Sequence, residues 1–397
     1  MALLKLFLRR VIACSDQRKH FFSRGMATVR YRKRGDPAEV LRLEADDDLG
    51  TLGPNEVAVR MLFAPINPSD INQVEGSYGI LPEVPAVGGN EGVGEIMAVG
   101  SAVKELTVGD WAVPVPAAGF GTWRNVAKAD QSMLQKCPSN IPAEYAATIG
   151  VNPCTAYRLL RDFETLQEGD TVIQNGANSQ VGISVIQMAR DVGVRTINVV
   201  RERPPGDHTV ELLKSLGADV VVTPALLGNP DAYARAVTGL ARPRLALNCT
   251  GGSIAASVSV YDGVMPGVAF FFKQGCAHDY EADACQEIRG TGVSLQVAQA
   301  LNDGGTLVSY GGMSLRPITL PAALLQDKGL RCNGFWVTRW TQEHSRHERE
   351  AMIAEVAGMI RAGRLRSFLE RHRFTRFAQA LSEARKPYRS RKVKYVL

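Results

Sequence analysis

Gly169-Asp170-Thr171-Val172-Ile173-Gln174-Asn175-Gly176-Ala177-Asn178-Ser179-Gln180-Val181-Gly182 is the stretch whose reading decides the fold. Thr171 to Asn175, around Val172 and Ile173, reads as a buried-strand run, and a helix is predicted from about Val181 to Val192. Gly176 permits a sharp turn and close approach of backbone to a pyrophosphate, and Gly182 permits tight helix–strand packing. The helix N-terminus then offers N–H groups to an anion. Gln180 stands where the usual central glycine would be, so the pattern alone is a weak dinucleotide fingerprint. Its setting, with a strand before and a helix after, carries the reading.

Working outward, Thr196–Val200 is predicted as a second strand, Val210–Leu216 as a helix ended by Gly217, and Val220–Val222 as a third strand. Leu245–Cys249 and Thr306–Ser309 supply a fourth and a fifth. Such alternation predicts βαβ units and a doubly wound parallel sheet, the Rossmann arrangement. The second strand runs into Arg201-Glu202-Arg203. Two guanidiniums suit a 2′-phosphate, whereas an acidic residue here suits free ribose hydroxyls. Glu202 can serve the latter, but arginine on both sides favours NADPH. From about Arg30 to Ala146 the chain instead shows short strand-like runs, such as Val57–Leu62 and Ala112–Val115, punctuated by Gly and Pro. That spacing predicts a small β-barrel-type domain.

The 397 residues suffice for two domains, and an apolar content of 45% is ordinary for a globular α/β protein. No run of 18 apolar residues occurs, so no membrane span is expected. The net charge of +6 is unevenly spread: residues 1–34 carry +9 and residues 361–397 carry +10, leaving about −13 for the middle. Basic ends without a nucleic-acid motif or interleaved aromatics give no expectation of nucleic-acid binding. At the first end, Leu3, Leu4, Phe7, Leu8 and Val11 share a helical face among Lys5, Arg9 and Arg10, with Asp16 the one acidic residue before position 35. Residues 1–26 are read as a mitochondrial transit peptide, processed between Ser23 and Thr28. Seven scattered cysteines show no ligand or disulfide spacing and fit a reducing compartment, which together with the transit peptide is taken as the mitochondrial matrix.

Asn67-Pro68-Ser69-Asp70-Ile71-Asn72, Tyr78, and Gly88-Gly89-Asn90-Glu91-Gly92-Val93-Gly94, with the nucleotide pattern downstream, resemble the medium-chain dehydrogenase/reductase superfamily. Asn90 occupies the place of a zinc-ligating His in its alcohol dehydrogenases, and a carboxamide is a poor zinc ligand. No metal is therefore expected, and another group must supply protons. Glu75–Gly79, Gly150–Tyr157, Tyr310–Met313 and Gly334–Trp336 narrow the resemblance to the mitochondrial trans-2-enoyl-CoA/enoyl-[acyl-carrier-protein] reductases, from about residue 35 onward. The resemblance implies a GroES-like catalytic domain (27–148, returning at 339–397) and a Rossmann NADPH domain (149–338). It implies Tyr78 as proton donor. Cofactor contacts then fall on Asn152, Asn178, Ser179, Gln180, Val181, Arg201, Glu202, Arg203, Tyr310, Gly311, Gly312, Met313, Phe335, Trp336, Val337, Thr338 and Lys392. It also implies a homodimer.

Residues 253–292 depart from the family, whose members have only a few residues there. The preferred reading is an unspliced transcript or faulty gene model, ahead of a disordered loop and of a functional lid. The implied reaction reduces a trans-2-enoyl thioester carried on acyl carrier protein or CoA. Hydride arrives at the β-carbon, negative charge develops on the thioester enolate, and the α-carbon needs a proton. A tyrosine hydroxyl, with an ordinary pKa of about 10, can donate while uncharged. Trp336 suits either an acyl-channel wall or a core position. Arg361, Arg364, Arg366, Arg371 and Arg373 suit either an anionic carrier or a solvated charged face. The alternatives are a zinc-free NADPH quinone or enone reductase and a non-catalytic protein that keeps the fold as a scaffold.

Overall fold

The computed structural model describes residues 26–46, 49–115, 119–251, 292–312 and 317–386, with the backbone of 392–396. The transit-peptide segment before Met26 and most of the 253–292 insertion lie outside the described residues. The chain divides into two compact units: residues 1–150 with 369–387 and 391–397, and residues 151–368 with 388–390.

The first unit is built from short strands. β1 (Ala27–Tyr31) pairs antiparallel with β2 (Arg42–Ala45) and with β4 (Ala86–Val87). β3 (Glu56–Pro65), β5 (Val93–Val99), β6 (Trp111–Pro114), β7 (Val126–Asp130) and β8 (Leu134–Cys137) form the larger sheet. Val57, Val59, Met61, Ile96, Ala112, Ala127 and Leu134 fill one core there. A second core is centred on Trp123, whose indole is fully buried and whose Nε1 donates to the Pro65 carbonyl at 3.0 Å. Phe377 tilts against its ring at 6.0 Å between centroids, tying the late helix Phe377–Arg385 to the N-terminal strands. Removing a core aromatic of this size costs about 3–5 kcal/mol.

The second unit holds a six-stranded sheet: β9 (Thr171–Asn175), β10 (Arg195–Val199), β11 (Val220–Val222), β12 (Leu245–Asn248), β13 (Thr306–Ser309) and β14 (Arg331–Gly334). Its order is β11-β10-β9-β12-β13-β14, and every pairing is parallel. Counted from β9 this is 3-2-1-4-5-6, the Rossmann order, with a topological switch between β9 and β12. β14 is an addition to the five strands predicted. Its four residues are all exposed, so no apolar run announces it.

The return to the first unit begins at Leu369, not at 339. The helix Arg346–Arg361 buries Met352, Ile353, Val356, Ala357, Met359 and Ile360, and it packs with Asn152–Leu159 of the second unit. That apolar face holds the helix Arg346–Arg361 in the second unit. The returning segment is β15 (Leu369–Arg373) and β16 (Lys392–Val396), which extend the first unit's sheet in the order β15-β16-β3-β5-β6-β8.

Candidate active site

Tyr78 sits on a short loop that follows the helix Pro68–Glu75. Asn67 and Asp70 open the helix with reciprocal capping bonds, the Asn67 N–H donating to Asp70 Oδ2 at 2.7 Å. Gly76 closes it in the left-handed region, φ +92°, where a side chain would be strained. The N–H groups of Gly76 and Ser77 both donate to the Asn72 carbonyl at 2.9 Å. Gln73 Nε2 donates to the Ile80 carbonyl at 3.0 Å, so the loop is tied on both sides of Tyr78, whose side chain is half-buried.

Asn90, in the place of the alcohol dehydrogenases' zinc ligand, meets an amide–carboxylate network. Its Nδ2 donates to Asp70 Oδ1 at 2.8 Å and to Gln73 Oε1 at 3.0 Å, and its backbone N–H also reaches Asp70 Oδ1. Asn67 Nδ2 donates to Glu91 Oε2 at 2.9 Å. Asn67, Asp70, Gln73 and Glu91 are all buried. Among the described residues no three His, Cys, Asp or Glu side chains gather as a metal site.

In the second unit the proposed cofactor residues other than Asn152, which opens the helix Asn152–Leu159, follow the C-terminal ends of parallel strands, the edge where open α/β sheets bind ligands. Gly176, φ +58°, makes the turn after β9; a Cβ there would lie 2.4 Å from Cys249 Sγ. At Gly182 a Cβ would meet the Ala177 backbone at 2.5 Å. Ser179 caps the helix Gln180–Asp191, its Oγ accepting from the Gly182 N–H. Helix caps leave first-turn N–H groups such as those of Gln180 and Val181 without an intrahelical acceptor. These features fit a dinucleotide pyrophosphate, and Asn152 adds a buried Nδ2 with no acceptor among the described residues.

Arg201 and Glu202 are exposed just beyond β10. Arg203 is different: its side chain is only 8% exposed, with Nη1 3.9 Å from Asp207. Hydrogen bonding from Thr209, with the charge of Arg203 adding to it, holds the Asp207 carboxyl below its usual range. Tyr310, Gly311 and Gly312 follow β13, and the Tyr310 N–H donates to the Asn248 carbonyl at 2.9 Å. Burial pushes the Tyr310 hydroxyl well up, with Cys249 beside it adding to the effect. Phe335 meets Phe163 edge-on at 6.0 Å, Trp336 caps the helix Val337–Glu343, and Val337 and Thr338 are buried within it. Met313 and the side chain of Lys392 lie outside the described residues.

Sequence reasoning missed a buried amide ladder beneath the turn. Asn175 Nδ2 donates to Asn248 Oδ1 at 2.6 Å and to Thr250 Oγ1 at 2.9 Å, while Asn175 Oδ1 accepts from the Cys249 N–H. Asn248 Nδ2 reaches Ser309 Oγ on the next strand. A signal was present at Asn248, which ends the otherwise apolar strand Leu245–Asn248, and Asn175 ends the buried strand Thr171–Asn175. Of the five C-terminal arginines considered for a carrier, Arg364 pairs with Asp191 and Arg371 with Glu144.

The alcohol dehydrogenase GroES-like domain model matches residues 53–151. A mitochondrial enoyl-[acyl-carrier-protein] reductase from Xenopus tropicalis is 42% identical over 366 residues, covering 91% of this chain and 93% of its own. Among solved structures, the Etr1p/NADP/crotonyl-CoA complex superposes with a TM-score of 0.75 at 28% identity, covering 94% of this chain and 99% of that one. The Candida tropicalis mitochondrial 2-enoyl thioester reductase Etr1p/Etr2p heterodimer gives a TM-score of 0.74 at 29% identity with the same coverage. With a relative this similar over nearly its whole length, the chain belongs to the mitochondrial enoyl-[acyl-carrier-protein] reductase family, in the zinc-free branch of the medium-chain dehydrogenase/reductase superfamily.

Proposed function

We propose that the protein reduces trans-2-enoyl thioesters to acyl thioesters with NADPH in the mitochondrial matrix, the acyl group riding on acyl carrier protein or CoA. The observation that carries this reading is the 42% identity, over 91% of the chain, to a protein named for that activity. The site geometry supports it. The turn Gly176–Gly182 and the Gln180–Asp191 helix N-terminus suit the pyrophosphate, and the exposed Arg201 guanidinium suits the 2′-phosphate. Asn152, with its unsatisfied Nδ2, and residues 310–312 and 335–338 complete the cofactor set. Bound there, NADPH supplies a hydride.

The first unit contributes the proton. Tyr78 donates from its hydroxyl, serving the enolate that forms at the thioester and delivering a proton to the α-carbon. Asn90 is engaged with Asp70 and Gln73, so its carboxamide supports the loop and Tyr78 supplies the acid. The protein is further proposed to act as a homodimer; the similar Candida enzyme is described as an Etr1p/Etr2p heterodimer, which supports a two-chain assembly.

The test is a substrate panel on protein lacking residues 1–26, which starts at Ala27, the first residue of β1. Crotonyl-CoA with NADPH is expected to turn over, with NADH much slower and a quinone slower still. Preference for the quinone would replace this reading with the quinone-reductase one. No NADPH-dependent turnover on any substrate would favour a non-catalytic scaffold.

A further inference from the structure

We propose that Asn90 is a positioning residue for Tyr78, acting through the side-chain amide of Gln73; this rests on reading Tyr78 as the proton donor. Asn90 Nδ2 has two hydrogens, and both have acceptors: Asp70 Oδ1 at 2.8 Å and Gln73 Oε1 at 3.0 Å. Because Gln73 Oε1 is claimed by Asn90, the amide must present Nε2 on its other side. There it donates to the Ile80 carbonyl at 3.0 Å, two residues beyond Tyr78. A flipped Gln73 would set its own oxygen against that carbonyl and a donor against the Asn90 amide. Asn90 thus fixes the sense of the Gln73 amide, and the amide fixes one end of the Tyr78 loop. The other end is held independently by the Gly76 and Ser77 N–H groups on the Asn72 carbonyl.

The residue type follows from the same counting. An aspartate at position 90 offers no side-chain donor and sets a second carboxylate beside Asp70. A neutral histidine offers one donor where two are needed. Asp70 and Gln73 are 1% and 4% exposed, so water does not replace a lost bond at low cost. Where the zinc enzymes use this position to hold a metal, this chain uses it to aim an acid.

The experiment is a double-mutant cycle on the full-length enzyme with crotonyl-CoA and NADPH, reading kcat, the KM for each substrate and thermal unfolding. Asn90→Asp and Gln73→Met are each made in the parent and in Tyr78→Phe. Gln73→Met is close to isosteric and adds no charge, which keeps a folded variant available if Asn90→Asp does not fold. Each change is expected to lower kcat in the parent by about 10- to 100-fold, the scale of a misplaced catalytic group. The KM for NADPH should stay unchanged, and neither change should lower kcat further once the Tyr78 hydroxyl is gone. Unchanged kcat in folded Gln73→Met, or the same fractional loss with and without the hydroxyl, overturns the positioning role. Full turnover by Tyr78→Phe alone instead removes the underlying reading of Tyr78, and this proposal with it.

Discussion

Replacing Gly176 by Ala tests whether the proposed pyrophosphate turn is built as described. The new Cβ meets two obstacles. The backbone there has φ +58°, which costs an L-residue about 1–2 kcal/mol. The Cβ also falls 2.4 Å from Cys249 Sγ, about 1 Å inside ordinary contact. That sulfur does not swing freely, because Cys249 is buried and its Sγ donates to the Asn175 carbonyl at 3.6 Å. Overpacking of this kind costs about 1–3 kcal/mol. The sum is about 2–5 kcal/mol, or a drop of about 4–20 °C in Tm for a unit of this size. Cys249→Ala removes the sulfur, so the double variant should recover the overpacking share and keep the backbone share. The assay is thermal unfolding of the parent, both single variants and the double variant, with NADPH affinity from fluorescence titration alongside. Gly176→Ala is expected to lose stability and bind NADPH more weakly, and the double variant to regain part of both. An unchanged Tm in Gly176→Ala, or no recovery on adding Cys249→Ala, would refute the packing argument.

Two further outcomes are expected. Arg201→Ala should weaken NADPH about tenfold or more while leaving NADH nearly unchanged, as loss of a charge-assisted bond to the 2′-phosphate requires; Arg203→Ala should in addition lower Tm, because its guanidinium is buried beside Asp207. Equal losses for the two cofactors in Arg201→Ala would make that residue structural. Deleting residues 253–292 should leave a soluble protein that melts higher and turns over at least as fast, since Ser294 Oγ already donates to the Gly251 carbonyl across the flanks of the insertion. A major message lacking the segment should accompany it, whereas a message that always carries it, with activity lost on deletion, would favour a lid.

What the sequence disclosed depended on how local the cause is. Strands β9 to β13 are legible because runs such as Leu245–Asn248 are apolar enough to mark a fully buried strand, and the Gly176 turn because glycine adopts that backbone without strain. β14 was not, since Arg-Cys-Asn-Gly carries no apolar signal and is placed by pairing with β13. The domain return was set too early, because membership of the helix Arg346–Arg361 is decided by which partner its apolar face finds, not by its own sequence. Tyr78 and the arginines after β10 are proposed from motif position. Two side-chain networks carry no such local signal: Asn90 with Gln73, and Asn175 with Asn248, become partners only once the chain folds across 17 and 73 positions.

Steady-state turnover of crotonyl-CoA with NADPH by Tyr78→Phe is the measurement that bears most directly on the proposed chemistry. The hydroxyl is the one group removed, and all the proposed cofactor residues except Lys392 lie in the other unit. Turnover should fall by about two orders of magnitude or more, the range for losing a general acid, with NADPH affinity retained. Near-parental turnover by this variant would contradict the account.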